Sequence, residues 1–271
     1  MATQKTAPAS AGTALITGAS SGIGEALAAR FARGGYDLVL VARSADKLKA
    51  LAQTLAAEHG VKTWVWPADL SLPDAAAKLA AAMTRARRPI DVLVNNAGVL
   101  EHGPFVKMPA QRHQQLIDLN VSGLTAMLAH FVPPMVARGA GKVLNVASIA
   151  AFQPLPSLAT YAATKAYVLS LTESLSEELK GSGVTMTALC PGVTATNMFS
   201  TAKAGSEELN KLPRFLIGSA EDVADDGFAA CMRGDVIKVP GVLNVATVVS
   251  ARATPKWLLR RVSGAIVRRM G

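Results

Sequence analysis

Two cysteines in 271 residues are too few for a disulfide framework, and Cys190 and Cys231 show no metal-ligand spacing. The pair fits a reducing compartment, and Cys190, closing an apolar run, reads as a small core residue. No uninterrupted apolar run approaches the ~18 residues that would suggest a membrane span. Residues 1–12 lack the apolar centre of a secretory signal and read as a flexible tail. Together these absences predict a soluble, cytoplasmic protein. Internal repeats and low-complexity blocks are missing too. Acidic residues are scarce, 19 against 28 Lys and Arg, for a net charge of +9. The imbalance is local. Residues 251–271 hold Arg252, Lys256, Arg260, Arg261, Arg268 and Arg269 with no acid among them. No nucleic-acid recognition motif accompanies this charge, so it does not point to DNA or RNA.

Half of the chain is hydrophobic, enough to bury the core of one α/β domain of this size. Thr13–Thr17 reads as a buried strand. It runs into Gly18-Ala19-Ser20-Ser21-Gly22-Ile23-Gly24 and then a helical pattern to Gly34-Gly35. Strand, glycine turn and helix is the layout in which backbone N–H groups and a helix N-terminus hold a pyrophosphate. The spacing differs from the common Gly-x-Gly-x-x-Gly fingerprint, and a bare glycine loop can be only a tight turn.

Asp37–Ala42 reads as a second strand. An acid near its end would hold a ribose 2′-hydroxyl, whereas an Arg there accommodates a 2′-phosphate. Here Ala42 is neutral and Arg43 follows, which favours NADP(H) over NAD(H). Ser44 is a candidate N-cap for a helix to Glu58, and Val61–Trp66 a third strand. Asp69, followed by Leu70, either accepts from an adenine amino group or caps the helix after Pro73. Asp91–Asn95 is a fourth strand ending in Asn95-Asn96-Ala97-Gly98, suited to close approach of backbone to a ligand or to an ordinary turn. A long helix is expected over Pro109–Ala137, with Asn120 in an apolar setting. A buried Asn needs partners, so it marks a kink or holds a water.

Lys142–Ala147 reads as a strand closed by Ser148, and Tyr161 and Lys165 stand four apart in a helical segment, on one face. A phenol beside an ammonium is a proton donor and acceptor whose pKa the cation lowers. The three residues suit proton transfer to or from a carbonyl or alcohol oxygen. With three Tyr and thirteen Lys, Tyr-x-x-x-Lys arises by chance in roughly one shuffled chain in seven. The pair alone is therefore weak. Val184–Cys190 is a further strand, leading into Pro191-Gly192-Val193-Thr194-Ala195-Thr196. Ser219 to Met232 is a helix, and Val236–Pro240 a last strand. Strands alternating with helices predict a parallel sheet covered on both faces, a Rossmann-type doubly wound α/β domain over 13–240. The glycine loop, Asp69, Asn96, Ser148 and Pro191-Gly192 all fall at strand C-terminal ends, where ligands bind in such sheets.

The ordered set Thr17–Gly24, Asn95–Gly98, Asn120, Ser148, Tyr161-x-x-x-Lys165 and Pro191-Gly192-x-x-x-Thr196 resembles the short-chain dehydrogenase/reductase family over about residues 13–240. The resemblance implies that Tyr161 is the general acid or base, Ser148 polarises the substrate oxygen, and Lys165 lowers the Tyr161 pKa and binds the nicotinamide ribose. It further implies that Asn120 holds a proton-relaying water, that Thr194 (by its backbone) and Thr196 fix the nicotinamide amide, and that Asp69 holds the adenine. Gln153, Leu155, Met198 and Phe199 would flank a mostly apolar substrate, with Asn197–Phe215 as a lid. Homodimers or homotetramers are expected on the same footing.

Residues 241–271 form an extension, in which Pro255–Met270 is amphipathic at helical spacing. Its stripe of Leu259, Val262, Ile266 and Met270 either packs on the body or a partner subunit, or rests on an anionic membrane. Two other functions compete with an NADP(H)-dependent oxidoreductase. One is an epimerase or dehydratase relative with tightly held NAD, and the other a non-catalytic nucleotide-sensing or membrane-docking protein using the basic helix.

Overall fold

A computed structural model describes residues 10–196 and 217–270. Seven strands, β1 Thr13–Thr17, β2 Asp37–Ala42, β3 Thr63–Pro67, β4 Val92–Asn95, β5 Gly141–Val146, β6 Val184–Leu189 and β7 Ile237–Lys238, form one sheet. Their order is β3-β2-β1-β4-β5-β6-β7 and every pairing is parallel. Parallel neighbours need crossover connections, and helices supply them. These are α1 Gly22–Arg33, α2 Ala45–His59, α3 Ala75–Arg85, α4 Ala110–Ile117, α5 Leu124–Arg138, α6 Ala159–Glu178 and α7 Ala220–Arg233. Two more, α8 Val242–Ala253 and α9 Lys256–Met270, follow the sheet.

The strands are apolar on both faces because both are covered. Ile16, Leu38, Leu40 and Val94 meet Leu27 and Phe31 of α1, Leu48 of α2 and Val223 of α7. Leu15, Val39, Val41 and Leu93 point the other way, to Leu79 of α3, Met127 and Met135 of α5 and Val168 of α6. Each fully buried Leu or Phe contributes about 1.5–3 kcal/mol. The chain reverses its direction of travel across the sheet at β1, which has β2 on one side and β4 on the other. A crevice opens at the strands' C-terminal ends at such a point.

Several expectations change. The helix over Pro109–Ala137 is interrupted by a wide turn at Asp118–Gly123 carrying Asn120, so Asn120 does mark a kink. Gly123 lets this turn approach Leu70, since a Cβ there would clash with the Leu70 carbonyl. By composition the stretch Ala110–Arg138 could cross a membrane, yet its Leu116, Met127, Leu128 and Met135 are buried within the domain. Ser44 precedes α2 and its carbonyl accepts from Leu48 N at 3.1 Å, but its hydroxyl makes no capping bond. The last strand shortens to two residues. The extension is two helices rather than one. Val248 and Ala251 of α8 are buried, and Arg252 reaches Glu173 of α6 at 3.7 Å and lies 4.9 Å over the Phe152 ring. Over Lys256–Ala265 of α9 no residue is buried, Leu259 and Val262 of the expected stripe included.

Candidate active site

A cavity of about 620 Å³ lies along the C-terminal ends of β1, β2, β4, β5 and β6. Of the site residues singled out from sequence and lying within the described part of the chain, all but Gly24 and Asn120 line it. Met198 and Phe199, with the segment 197–215, fall outside the described residues.

One end is built from β1 and its glycine loop. Gly18 takes φ +66°, open to glycine without strain. Gly24 has no room for a side chain, because a Cβ would press into the Gly18 carbonyl and the Asn96 amide. Helix α1 starts at Gly22, so its first N–H groups, which have no partner within the helix, face the crevice. The loop is anchored to β4. Thr17 Oγ1 accepts from Asn96 N at 2.9 Å and Ala97 N at 3.0 Å and donates to the Val94 carbonyl. Asn96 Nδ2 donates back to Thr17 O at 2.9 Å and Gly18 O at 3.3 Å. The side chain of Asn96 thus ties the loop down from its place in the cavity wall.

Farther along, Arg43 and Lys47 bring two cations to the wall beyond β2. Lys47 carries no sequence signal of its own; it arrives because it lies in the first turn of α2, one turn past Arg43. Asp69 does not cap the next helix, whose flanking residue is Asp74. Its Oδ1 instead accepts from Ser71 N at 3.0 Å and Ser71 Oγ at 2.7 Å. Burial works to raise the Asp69 pKa, but those two bonds and the charge of Arg43 outweigh it and hold the carboxyl below its usual range.

The catalytic candidates converge at the middle. Ser148 stands two residues past the end of β5, and its Oγ accepts from Ala150 N at 3.1 Å and approaches the Pro191 carbonyl at 3.4 Å, which also accepts from Ile149 N. Tyr161 and Lys165 enter from α6, both buried. Burial pushes the Tyr161 phenol above its ordinary value, and a hydrogen bond with Ser148 draws it partly back. The sequence-based pairing with Lys165 has the opposite sign. Lys165 Nζ donates to the Val146 carbonyl at 2.8 Å and stands 5.8 Å from the Tyr161 ring centre. Burial lowers its own pKa to about 8. Cys190 is no nucleophile here, since burial pushes its thiol up to about 12.

Two buried polar networks fix this centre, and apart from Asn120 as a buried group in need of partners, their members carry no such signal in sequence. Asn120 Oδ1 accepts from Val99 N while Nδ2 donates to Val99 O, both at 2.9 Å, and Nδ2 also reaches Thr164 Oγ1 at 3.2 Å. Thr164 in turn donates to the Tyr161 carbonyl. Below, Asn95 Nδ2 donates to Asn145 Oδ1 and Asn145 Nδ2 to Thr172 Oγ1, each at 3.0 Å, joining β4, β5 and α6. Gly98 lies against this centre, where a Cβ would come within 3.2 Å of Asn120 Oδ1 and 3.5 Å of Lys165 Nζ. Thr194 Oγ1 bonds the Gly192 carbonyl, and Thr196 packs against Gly22.

The other end of the cavity is walled by Val99, Leu100, Ile149, Leu155 and Leu158, with Gln153 as a polar exception. Among the described residues, the charged ones in the lining are Arg43, Lys47, Asp69 and Lys165, and all lie outside that end. The cavity suits a dinucleotide: bare backbone at one end, exposed helix N–H groups, and two cations beyond.

Residues 12–207 match the sequence family described as short chain dehydrogenase. Serine 3-dehydrogenase of Rhizobium radiobacter is 36% identical over 199 residues, 73% of this chain and 78% of that protein. A short-chain dehydrogenase from Sphingobium yanoikuyae, solved in complex with NADPH, superposes with TM-score 0.79 at 37% identity, covering 89% of this chain and 93% of the other. A bulky-bulky ketone specific alcohol dehydrogenase from Comamonas testosteroni gives TM-score 0.76 at 32% identity, covering 90% and 93%. Ordered motifs, sheet order and these relatives agree: the chain belongs to the short-chain dehydrogenase/reductase family of oxidoreductases.

Proposed function

We propose that the protein reduces a bulky, mostly apolar ketone to the secondary alcohol, or runs the reverse oxidation, with NADP(H) preferred over NAD(H). When bound, the cofactor supplies the hydride to the carbonyl carbon. Tyr161 gives its proton to the carbonyl oxygen, completing the hydroxyl, and Ser148 donates a hydrogen bond that holds that oxygen in place. The raised pKa of Tyr161 suits the donor role, because the phenol stays protonated at neutral pH. Lys165, below about 8, carries the positive charge that favours the phenolate left after transfer. Asn120, held at the kink, completes the path by which that phenolate regains a proton.

The observation that carries the cofactor choice is the placement of Arg43 and Lys47 on one wall beyond β2, where a 2′-phosphate would meet two cations. The substrate class rests on the apolar end of the cavity. An amino acid such as serine needs charges for its ammonium and carboxylate, and among the described residues that wall offers none. The name of the Comamonas relative points the same way. The buried free thiols of Cys190 and Cys231 fit a reducing, cytoplasmic setting. Assembly as a homodimer or homotetramer through α5 and α6 fits their exposed Val136 and Tyr167.

Fluorescence titration of the purified protein with NADPH and NADH tests the reading. The expected result is tighter NADPH binding, followed by NADPH oxidation on addition of a bulky ketone. Preference for NADH would overturn the role of Arg43 and Lys47, and binding without turnover on any carbonyl would overturn the catalytic one.

A further inference from the structure

Helix α8 turns Asn244, Val248 and Ala251 toward the domain. Asn244 packs on Gly192 and bonds the Pro240 carbonyl, and Val248 and Ala251 are buried. The opposite side is apolar as well. Val242, Val245 and Val249 recur at i, i+3 and i+7 and are 85%, 43% and 60% exposed, with Leu243 at 56% beside them. Thr247 and Ser250 are exposed on the same helix, yet four large apolar side chains held out together on three turns form the kind of patch that marks a contact surface. After Pro255, α9 adds Trp257, Leu258 and Val262, again exposed, with Lys256, Arg260 and Arg261 exposed among them. Beyond Asp235 the sequence has seven Lys and Arg and no acid.

We propose that α8 and α9 form a docking surface for an anionic lipid bilayer. The valines, Leu258 and Trp257 enter the boundary between headgroups and acyl chains, and the cations of α9 meet lipid phosphates. Trp257, with the Arg261 guanidinium 5.7 Å from its ring centre, has the mixed apolar and polar character of side chains found at that depth. Charge decides against a second copy of the chain as the occupant. A two-fold contact sets the same patch against itself, and here that places cations against cations with no acid in the patch to answer them. Nucleic acid would satisfy the arginines but gives Val242, Val245, Val249 and Leu243 nowhere apolar to go.

The test is flotation of the full-length protein with vesicles of phosphatidylcholine alone and of phosphatidylcholine mixed with phosphatidylglycerol. Binding is expected only to the anionic vesicles, weakening as salt rises. Arg260→Glu/Arg261→Glu should lower partition about tenfold or more. Val249→Asp/Val262→Asp should lower it even at low salt. Both variants should keep NADPH binding, which shows that they fold and separates this surface from the cofactor site. Failure to float with either vesicle would overturn the proposal. So would a smaller assembly for Val249→Asp/Val262→Asp with unchanged flotation, which would assign the face to a second copy. Tighter binding to duplex DNA than to vesicles, unchanged in that variant, would overturn it equally.

Discussion

At the glycine-loop end of the cavity the protein holds its own polar atoms in place before any ligand arrives. Thr17 and Asn96 close four hydrogen bonds between β1, its loop and β4, and Asp69 is held by Ser71. At the other end Val99, Leu100, Leu155 and Leu158 offer shape and little else. The first end is preorganised for one class of partner, because pinned N–H groups and carbonyls leave little to adjust. The second can be reshaped by changing side-chain volume. Tyr161 and Ser148 stand where the two meet.

The contrast can be broken most severely at that meeting point. Tyr161→Phe should cut kcat by about 10²–10⁴-fold while NADPH affinity stays nearly unchanged in the fluorescence titration. Comparable loss of both would make Tyr161 a packing residue. At the rigid end, Gly24→Ala forces a methyl into the Gly18 carbonyl. An overpacking strain of about 1–3 kcal/mol predicts NADPH binding weaker by about 10–100-fold, and unaltered affinity would mean that the loop yields. Arg43→Ala/Lys47→Ala should weaken NADPH about tenfold, as expected for exposed charge-assisted contacts, and leave NADH alone; equal loss for both cofactors would refute the 2′-phosphate role. At the adaptable end, Leu158→Val should raise KM for a bulky ketone only several-fold, at about 0.8 kcal/mol for the one methylene lost, with kcat retained.

The subtlest signal is in the pH profile. Lys165, with its pKa lowered to about 8 by burial, is charged below that value and neutral above it. Tyr161 is shifted upward, so it keeps its proton through the same interval. Reduction, followed as kcat/KM, should therefore be full below about pH 8 and decline as pH rises through it. Lys165→Met, slower throughout, should lose that limb; a limb that persists belongs to another group.

The rigid end was largely readable from sequence because strand ends, glycine spacing and Tyr-x-x-x-Lys are local patterns. Most of what escaped depends on partners far apart in the chain, as Thr17 needed β4 beside it. Lys47 is the local exception: only four residues past Arg43, it needed the start of α2 to bring it to the same wall. The direction of the Tyr161 pKa depends on burial, which spacing along a helix does not reveal. The extension illustrates the same limit: its amphipathic pattern was plain in Pro255–Met270, whereas the outward valines of α8 gained meaning only once Val248 and Ala251 were found facing inward.

The amide ladder Asn95–Asn145–Thr172 joins β4 and β5 to the same side of α6 that carries Lys165, two turns farther along the helix, and none of its three side chains lines the cavity. It sets how α6 is rotated, and hence where Tyr161 and Lys165 point, without touching the walls that choose the molecule to be turned over. Selectivity and reactivity are in this sense separately inherited. A library that randomises Leu100, Leu155 and Leu158 can explore new substrates while the proton-transfer geometry stays constant, whereas one that includes Asn145 or Thr172 would disturb every reaction at once.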